Sequence, residues 1–212
     1  MKLQLALDAI TYESALDLLK KTHPWIDYIE LGTPFAYTNP LSAIGDLKKT
    51  YPYKKIFADY KILDGGKYMA MLAYNAGADM VSVSASANYG TVKSAVEAAR
   101  ESGNMILIDF MGVPLERIKQ RAAELASLKP DYVCVHISVE ESSDPFAAIK
   151  EVRKSIGSEI QVAAAGGINL DSLDQYIEAN PDLLIVGSAI TTAKDPESVV
   201  KAIKEKMQNA GA

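Results

Sequence analysis

Along this chain, short runs of apolar and β-branched residues alternate with longer stretches whose apolar positions recur three and four apart. Runs of the first kind read as buried strands, and stretches of the second kind as helices with one apolar face. Eight strands are predicted: "LQLALD", "YIELG", "KIFADYK", "MVSVSA", "MILIDF", "YVCVHI", "IQVAAAG" and "LLIVGSA". Between them lie helical patterns such as "YESALDLLKK", "KYMAMLAYNAG", "TVKSAVEAARESG" and "ERIKQRAAELASL", many of them ended by Gly or Pro. The last helix, "DPESVVKAIKEKM", has Asp195 placed as N-cap and Pro196 at the first helical position. Eight strands and eight helices in strict alternation predict an α/β fold, a single-domain (β/α)8 TIM barrel over residues 1–212. A doubly wound open sheet is the rival, but it expects a glycine fingerprint after the first strand, where this chain has "LDAITYES". The only repeat evident is the βα unit itself.

Barrels of this kind carry their chemistry at the C-terminal ends of the strands. Because alternate strand residues share a face, the inward positions can be assigned. Gln4, Ala6 and Asp8 fall together on strand one, with Leu3, Leu5 and Leu7 on the outer face. Tyr28 and Glu30 fall together on strand two, Phe57, Asp59 and Lys61 on strand three, Leu107 and Asp109 on strand five, and Cys134 and His136 on strand six. Any one such residue could cap a helix or form an ion pair at the rim. Five strands ending in an ionisable group near one edge make that explanation insufficient. Four carboxylates against one lysine and one histidine leave surplus negative charge, which predicts a divalent cation. Oxygen ligands favour Mg2+ over zinc.

Gly166 and Gly167 end strand seven, while Gly187 and Ser188 end strand eight. Glycine lets backbone N–H groups approach a phosphate, and these two loops are where barrels often hold one. A small phosphorylated substrate is the expectation.

Composition adds exclusions. Hydrophobic residues make up 49% and charged residues 23% of the 212, with 22 Lys and Arg against 27 Asp and Glu, so no basic footprint for nucleic acid is present. No apolar run reaches membrane-spanning length, and Asp8 interrupts the first apolar run before a signal peptide could form. The single Cys134 fits a reducing compartment. A cytoplasmic protein is expected.

In order and spacing, "LQLALD", "YIELGTP", "ADYKILDGG", "AGAD", "VCVHI", "AAAGGIN" and "IVGSAIT" resemble the 3-hexulose-6-phosphate synthases of the orotidine-monophosphate decarboxylase superfamily. The superfamily's Asp-x-Lys-x-x-Asp hallmark is matched by Asp59, Lys61 and Asp64. The resemblance spans essentially the whole chain. It implies an Mg2+-dependent aldol addition of formaldehyde to ribulose 5-phosphate, passing through an enediolate to arabino-3-hexulose 6-phosphate. It implies Glu30 and Asp59 as metal ligands, Lys61 as electrostatic support for the enediolate oxygens, and His136 as a proton-transfer residue. Asp8 and Asp109 match the remaining polar positions, and Gly166, Gly167, Gly187 and Ser188 the phosphate turns. Asp64 matches a residue that enters a partner's site across a homodimer interface.

The relative 3-keto-L-gulonate-6-phosphate decarboxylase is the alternative. Its pattern has an arginine shortly after the strand-six histidine and another in the last phosphate loop, and "HISVEESSDP" and "VGSAIT" contain neither. Departures from the synthases also exist. Ile137, Ser138, Val139, Glu140 and Glu141 stand where those enzymes read x-Gly-x-Asp-x-Gln, and "VSVSASAN" replaces "VTVLGVAD". Ribulose-phosphate epimerases need two histidines in the site, and the second one here, His23, falls before strand two at the opposite face. A non-catalytic sugar-phosphate-binding barrel is the remaining reading.

Overall fold

The computed structural model describes residues 1–136 and 144–210. Eight parallel strands close into a barrel in sequence order, with β1 hydrogen-bonded to both β2 and β8. They are β1 Lys2–Leu7, β2 Tyr28–Leu31, β3 Lys55–Ile62, β4 Met80–Ser84, β5 Met105–Asp109, β6 Tyr132–His136, β7 Gln161–Ala165 and β8 Leu183–Val186. Each matches a predicted run. The fold expectation is met.

The helices are α1 Tyr12–Thr22, α2 Thr33–Thr38, α3 Ser42–Thr50, α4 Gly66–Ala76, α5 Tyr89–Ser102, α6 Leu115–Ala126, α7 Pro145–Ile156, α8 Leu173–Ala179, α9 Ser188–Thr191 and α10 Pro196–Asn209. Ten helices among the described residues, rather than eight, correct the strict alternation. Pro40 cannot continue a helix and pushes Asn39 into an extended conformation, so the β2–β3 crossover divides into α2 and α3. The one-turn α9 precedes α10, whose N-cap is Asp195 with Pro196 next, as expected.

Strand alternation separates two apolar clusters. Leu3, Leu5, Leu7 and their counterparts pack outward against the helices. Ala6, Tyr28, Phe57, Met80, Leu107, Tyr132, Cys134, Ala163, Ala165, Leu183 and Ile185 fill the lumen. The lumen is lopsided: bulky rings come from β2, β3 and β6, whereas Ala6, Ala163 and Ala165 leave space beside β7 and β1.

At the N-terminal end a four-fold device closes the sheet. Asp27, Asp79, Asp131 and Asp182 stand immediately before β2, β4, β6 and β8. Each accepts a backbone N–H from the preceding strand: Leu3 at 2.8 Å, Ile56 at 2.8 Å, Ile106 at 2.9 Å and Val162 at 2.8 Å. Basic residues brace three of them, Lys204 on Asp27, Lys48 on Asp79 and Arg153 on Asp182. Arg100, at the matching place, binds the carbonyls of Leu128 and Lys129 instead. The period here is two βα units, a repeat that apolar patterning does not display. His23 ends α1 at this face with its ring on Tyr51, 5.4 Å between centroids, away from the chemistry as expected.

Candidate active site

At the C-terminal face, a cavity of about 490 Å3 is lined by Asp8, Glu30, Thr33, Asp59, Lys61, Met111, His136, Gly166, Gly167, Gly187 and Ser188, among others. Nine of the residues singled out from the sequence therefore meet in one place. Asp109 lies just beneath, buried, and reaches the cavity through its partners. Asp64 does not line the cavity. It is exposed beyond β3, where its Oδ1 accepts the N–H of Gly65 at 2.7 Å.

Strand three does not deliver Lys61 by simple alternation. Between Ala58 and Ile62 its register slips against β4, and Lys61 has φ 42°. Left-handed backbone is unusual for a residue with a Cβ and persists only where the surroundings hold it. The holding group is Ser82 of β4, fully buried: its hydroxyl accepts Lys61 N–H at 2.8 Å and donates to Asp59 Oδ1 at 2.7 Å. Thr33 donates to Asp59 Oδ2 at 2.8 Å and accepts from Lys61 Nζ at 3.3 Å. Lys61 itself bonds Asp59 Oδ2 and lies 3.3 Å from Asp109 Oδ2.

Asp109 Oδ2 also meets His136 Nδ1 at 3.0 Å. Burial acts to raise the Asp109 pKa, but His136 and Lys61 outweigh it and hold the group below the usual carboxylate range. An ionised Asp109 accepts the Nδ1 proton and fixes the tautomer whose Nε2 is free. For Lys61, burial favours loss of the proton, yet Asp59 and Asp109 outweigh it and raise its pKa above the ordinary lysine value. It is a permanent cation in this site.

The remaining carboxylates carry the uncompensated charge. Burial first, then Asp59, raises Asp8; the same pair of causes raises Glu30 well above its ordinary value, despite a 2.6 Å hydrogen bond from Gln4 Nε2. Such a cluster is short of positive charge. Two all-oxygen donors on neighbouring strands, Glu30 and Asp59, fit a hard divalent ion such as Mg2+.

Two glycines make room for Asp8. A Cβ on Gly32 would overlap Asp8 Oδ1, and one on Gly187 would lie 2.9 Å from Oδ2. At the other end of the cavity, Gly166 and Gly167 have successive positive φ values of 99° and 64°. Gly32, Thr33 and Ser82 were not singled out from the sequence, and Gln4 was placed on the inward face of strand one without a role. The one available signal was the alternation in "MVSVS", which places Met80, Ser82 and Ser84 on the inward face. Residues 137–143, which carry the departures after strand six, lie outside the described residues.

Fold and site together define a (β/α)8 barrel of the enzyme type, with its charged groups gathered at the strand ends. The profile of the orotidine 5'-phosphate decarboxylase / HUMPS family matches residues 1–203. A 3-hexulose-6-phosphate synthase of Bacillus subtilis is 37% identical over 208 residues, covering 97% of this chain and 98% of the relative. A solved 3-hexulose-6-phosphate synthase from Salmonella typhimurium superposes with a TM-score of 0.92 at 34% identity, over 99% of this chain and 100% of that one. The 3-keto-L-gulonate-6-phosphate decarboxylase from Vibrio cholerae shares the fold, with a TM-score of 0.84 at 23% identity over 98% of this chain and 97% of that one. The chain belongs to the orotidine 5'-phosphate decarboxylase / HUMPS family, and within it to the 3-hexulose-6-phosphate synthases.

Proposed function

We propose that this protein is an aldolase-type lyase that joins formaldehyde to ribulose 5-phosphate, reversibly, giving arabino-3-hexulose 6-phosphate. The observation that carries the reading is Asp109 Oδ2, shared by Lys61 and His136. One carboxylate thereby fixes a cation and a proton acceptor on the same side of the cavity. The substrate's phosphate lies against the turns at Gly166, Gly167, Gly187 and Ser188, where backbone N–H groups can reach it. His136 Nε2 takes the proton from carbon 1 of the ketose. Lys61 stays charged and steadies the enediolate oxygens as negative charge develops. Its raised pKa suits that role and not that of a base. Asp8 completes the polar wall. Glu30 and Asp59 would hold Mg2+, which when bound would supply further electrostatic stabilisation of developing negative charge.

The active unit of this reading is a homodimer. Asp64 is exposed and flanked by apolar residues that are open to solvent, Leu63 at 62% and Tyr68 at 70%. A groove lined by Tyr37, Leu41 and Met69 adjoins the site at Thr33 and Asp59. A second copy seated there would bring its own Asp64 to the cavity. A cytoplasmic site of reaction is part of this reading, supported by the single, free and buried thiol of Cys134. No described helix is long and apolar enough to cross a membrane.

The test is consumption of formaldehyde with ribulose 5-phosphate by the purified protein, in Mg2+ and then in EDTA. Loss that depends on Mg2+ is expected. No loss, with CO2 released from 3-keto-L-gulonate 6-phosphate, would replace this reading with the decarboxylase; neither reaction would leave a binding barrel.

A further inference from the structure

We propose that Asp109, Cys134 and His136 form a site for one soft divalent cation, Zn2+ above all, under the floor of the active-site cavity, and that filling it stops turnover. Asp109 on β5 is the register partner of Cys134 on β6, and His136 follows two residues on, facing the same way. One ligand atom from each lies within 4.8 Å of the other two. Oxygen, sulfur and nitrogen donors from neighbouring strands suit tetrahedral zinc, whose bonds are about 2.0–2.3 Å long, so small side-chain movements close the site.

A second observation is independent of those distances. A separate small cavity of about 10 Å3 is walled by the same three residues, with Glu30 and Asp59 among its other lining groups. That is roughly the space one water or one ion needs. Cys134 is 1% exposed and lines this space, and the Lys61–Asp109–His136 network makes no use of it. Glu30 and Asp59 line the same space and offer carboxylate oxygens for a fourth position. A sulfur donor selects against Mg2+ and for zinc. As the Zn–S bond forms, the thiol proton leaves to solvent. Asp109 and His136 turn to the metal, and their hold on each other and on Lys61 is lost.

Cobalt is the probe, because a Co2+–thiolate bond absorbs in the near ultraviolet. Titrating the full chain with Co2+ should produce that band, saturating at one ion per chain, and it should vanish in Cys134→Ser and Cys134→Ala. With Mg2+ in excess, both variants should turn over like the parent while resisting Zn2+ by about tenfold or more, since even outer-shell partners of a metal are worth roughly 10–100-fold. This second arm rests on the proposed function; the cobalt band does not, so the two can fail separately. No band in the parent, or a band that survives both substitutions, overturns the site. Equal zinc sensitivity in all three proteins overturns the inhibition.

Discussion

Gly32 and Asp8 share a space that holds only one of them: a Cβ on residue 32 would overlap Asp8 Oδ1 and come within 2.7 Å of the Leu7 carbonyl. The carboxylate is thus placed by the absence of a side chain on the neighbouring strand's loop. Gly32→Ala should push Asp8 aside and lower kcat by about 10²-fold, the penalty typical of a misplacement near 1 Å. Steady-state kinetics beside a melting curve will check this. A folded variant with the parent's kcat would remove Asp8 from the working site.

Ser82 ties the strained turn at Lys61 to the Asp59 carboxylate. Ser82→Ala leaves the Lys61 N–H without its partner, at a cost of about 1–3 kcal/mol. It should also weaken Mg2+ binding and reduce kcat more than it raises KM for the ketose. Ser82→Thr restores the hydroxyl and should recover most of both. Equal behaviour of the two variants would show that the hydroxyl holds nothing.

His136→Ala removes the proton acceptor of the proposed reaction while leaving the glycine turns after β7 and β8 untouched. Turnover should fall by about 10²–10⁴-fold, with little change in the binding of a non-reacting sugar phosphate. Asp109→Asn should lose turnover too, because an amide that keeps its oxygen on the Met111 N–H turns its NH2 toward His136 Nδ1 and favours the other tautomer. Near-normal turnover in the histidine variant contradicts its role.

Glu30 gives the pH dependence. Its pKa is raised in the folded, metal-free protein, so folding binds that proton more tightly than the unfolded chain does. The stability this contributes is full below the ordinary glutamate value and is lost as pH rises through the raised one. Glu30→Gln removes the loss. In EDTA at neutral pH the variant should melt higher than the parent, by about 2–4 °C per kcal/mol recovered, and Mg2+ should no longer shift its Tm. The parent's own gain from Mg2+ should shrink on acidification, as protons compete for the ligand. A variant that melts below the parent in EDTA refutes the charge argument.

Asp64 allows a complementation test. Asp64→Ala and His136→Ala should each be nearly inactive alone. Mixed and allowed to exchange subunits, they should regain activity, because one site of the heterodimer then has both residues intact. A mixture no more active than its components places Asp64 outside the partner's site.

The strands, the barrel and most cavity residues were legible because each depends on alternation, which the sequence carries openly. Asp8, Glu30, Asp59 and His136 are found by counting in twos to a strand end. Lys61 was found by the same count, though the backbone reaches the position by a register slip that counting cannot reveal. Thr33 and Ser82 were missed because hydroxyls carry no charge to mark them, and their importance lies in what they hold. Gly32 was missed because a close approach between two strands' loops exists only in three dimensions. The division of α2 from α3 was announced by Pro40, but helical patterning on both sides concealed it.

The four aspartates that latch odd strands to even ones give the barrel's closed end a rotational order that its open end lacks. A quarter turn about the barrel axis carries one latch roughly onto the next, whereas no such turn carries Lys61 onto another cation. The two-strand repeat is thus kept where the barrel closes and absent where its charged groups gather. The natural unit for grafting, permuting or exchanging pieces of this barrel is the latched pair of strands.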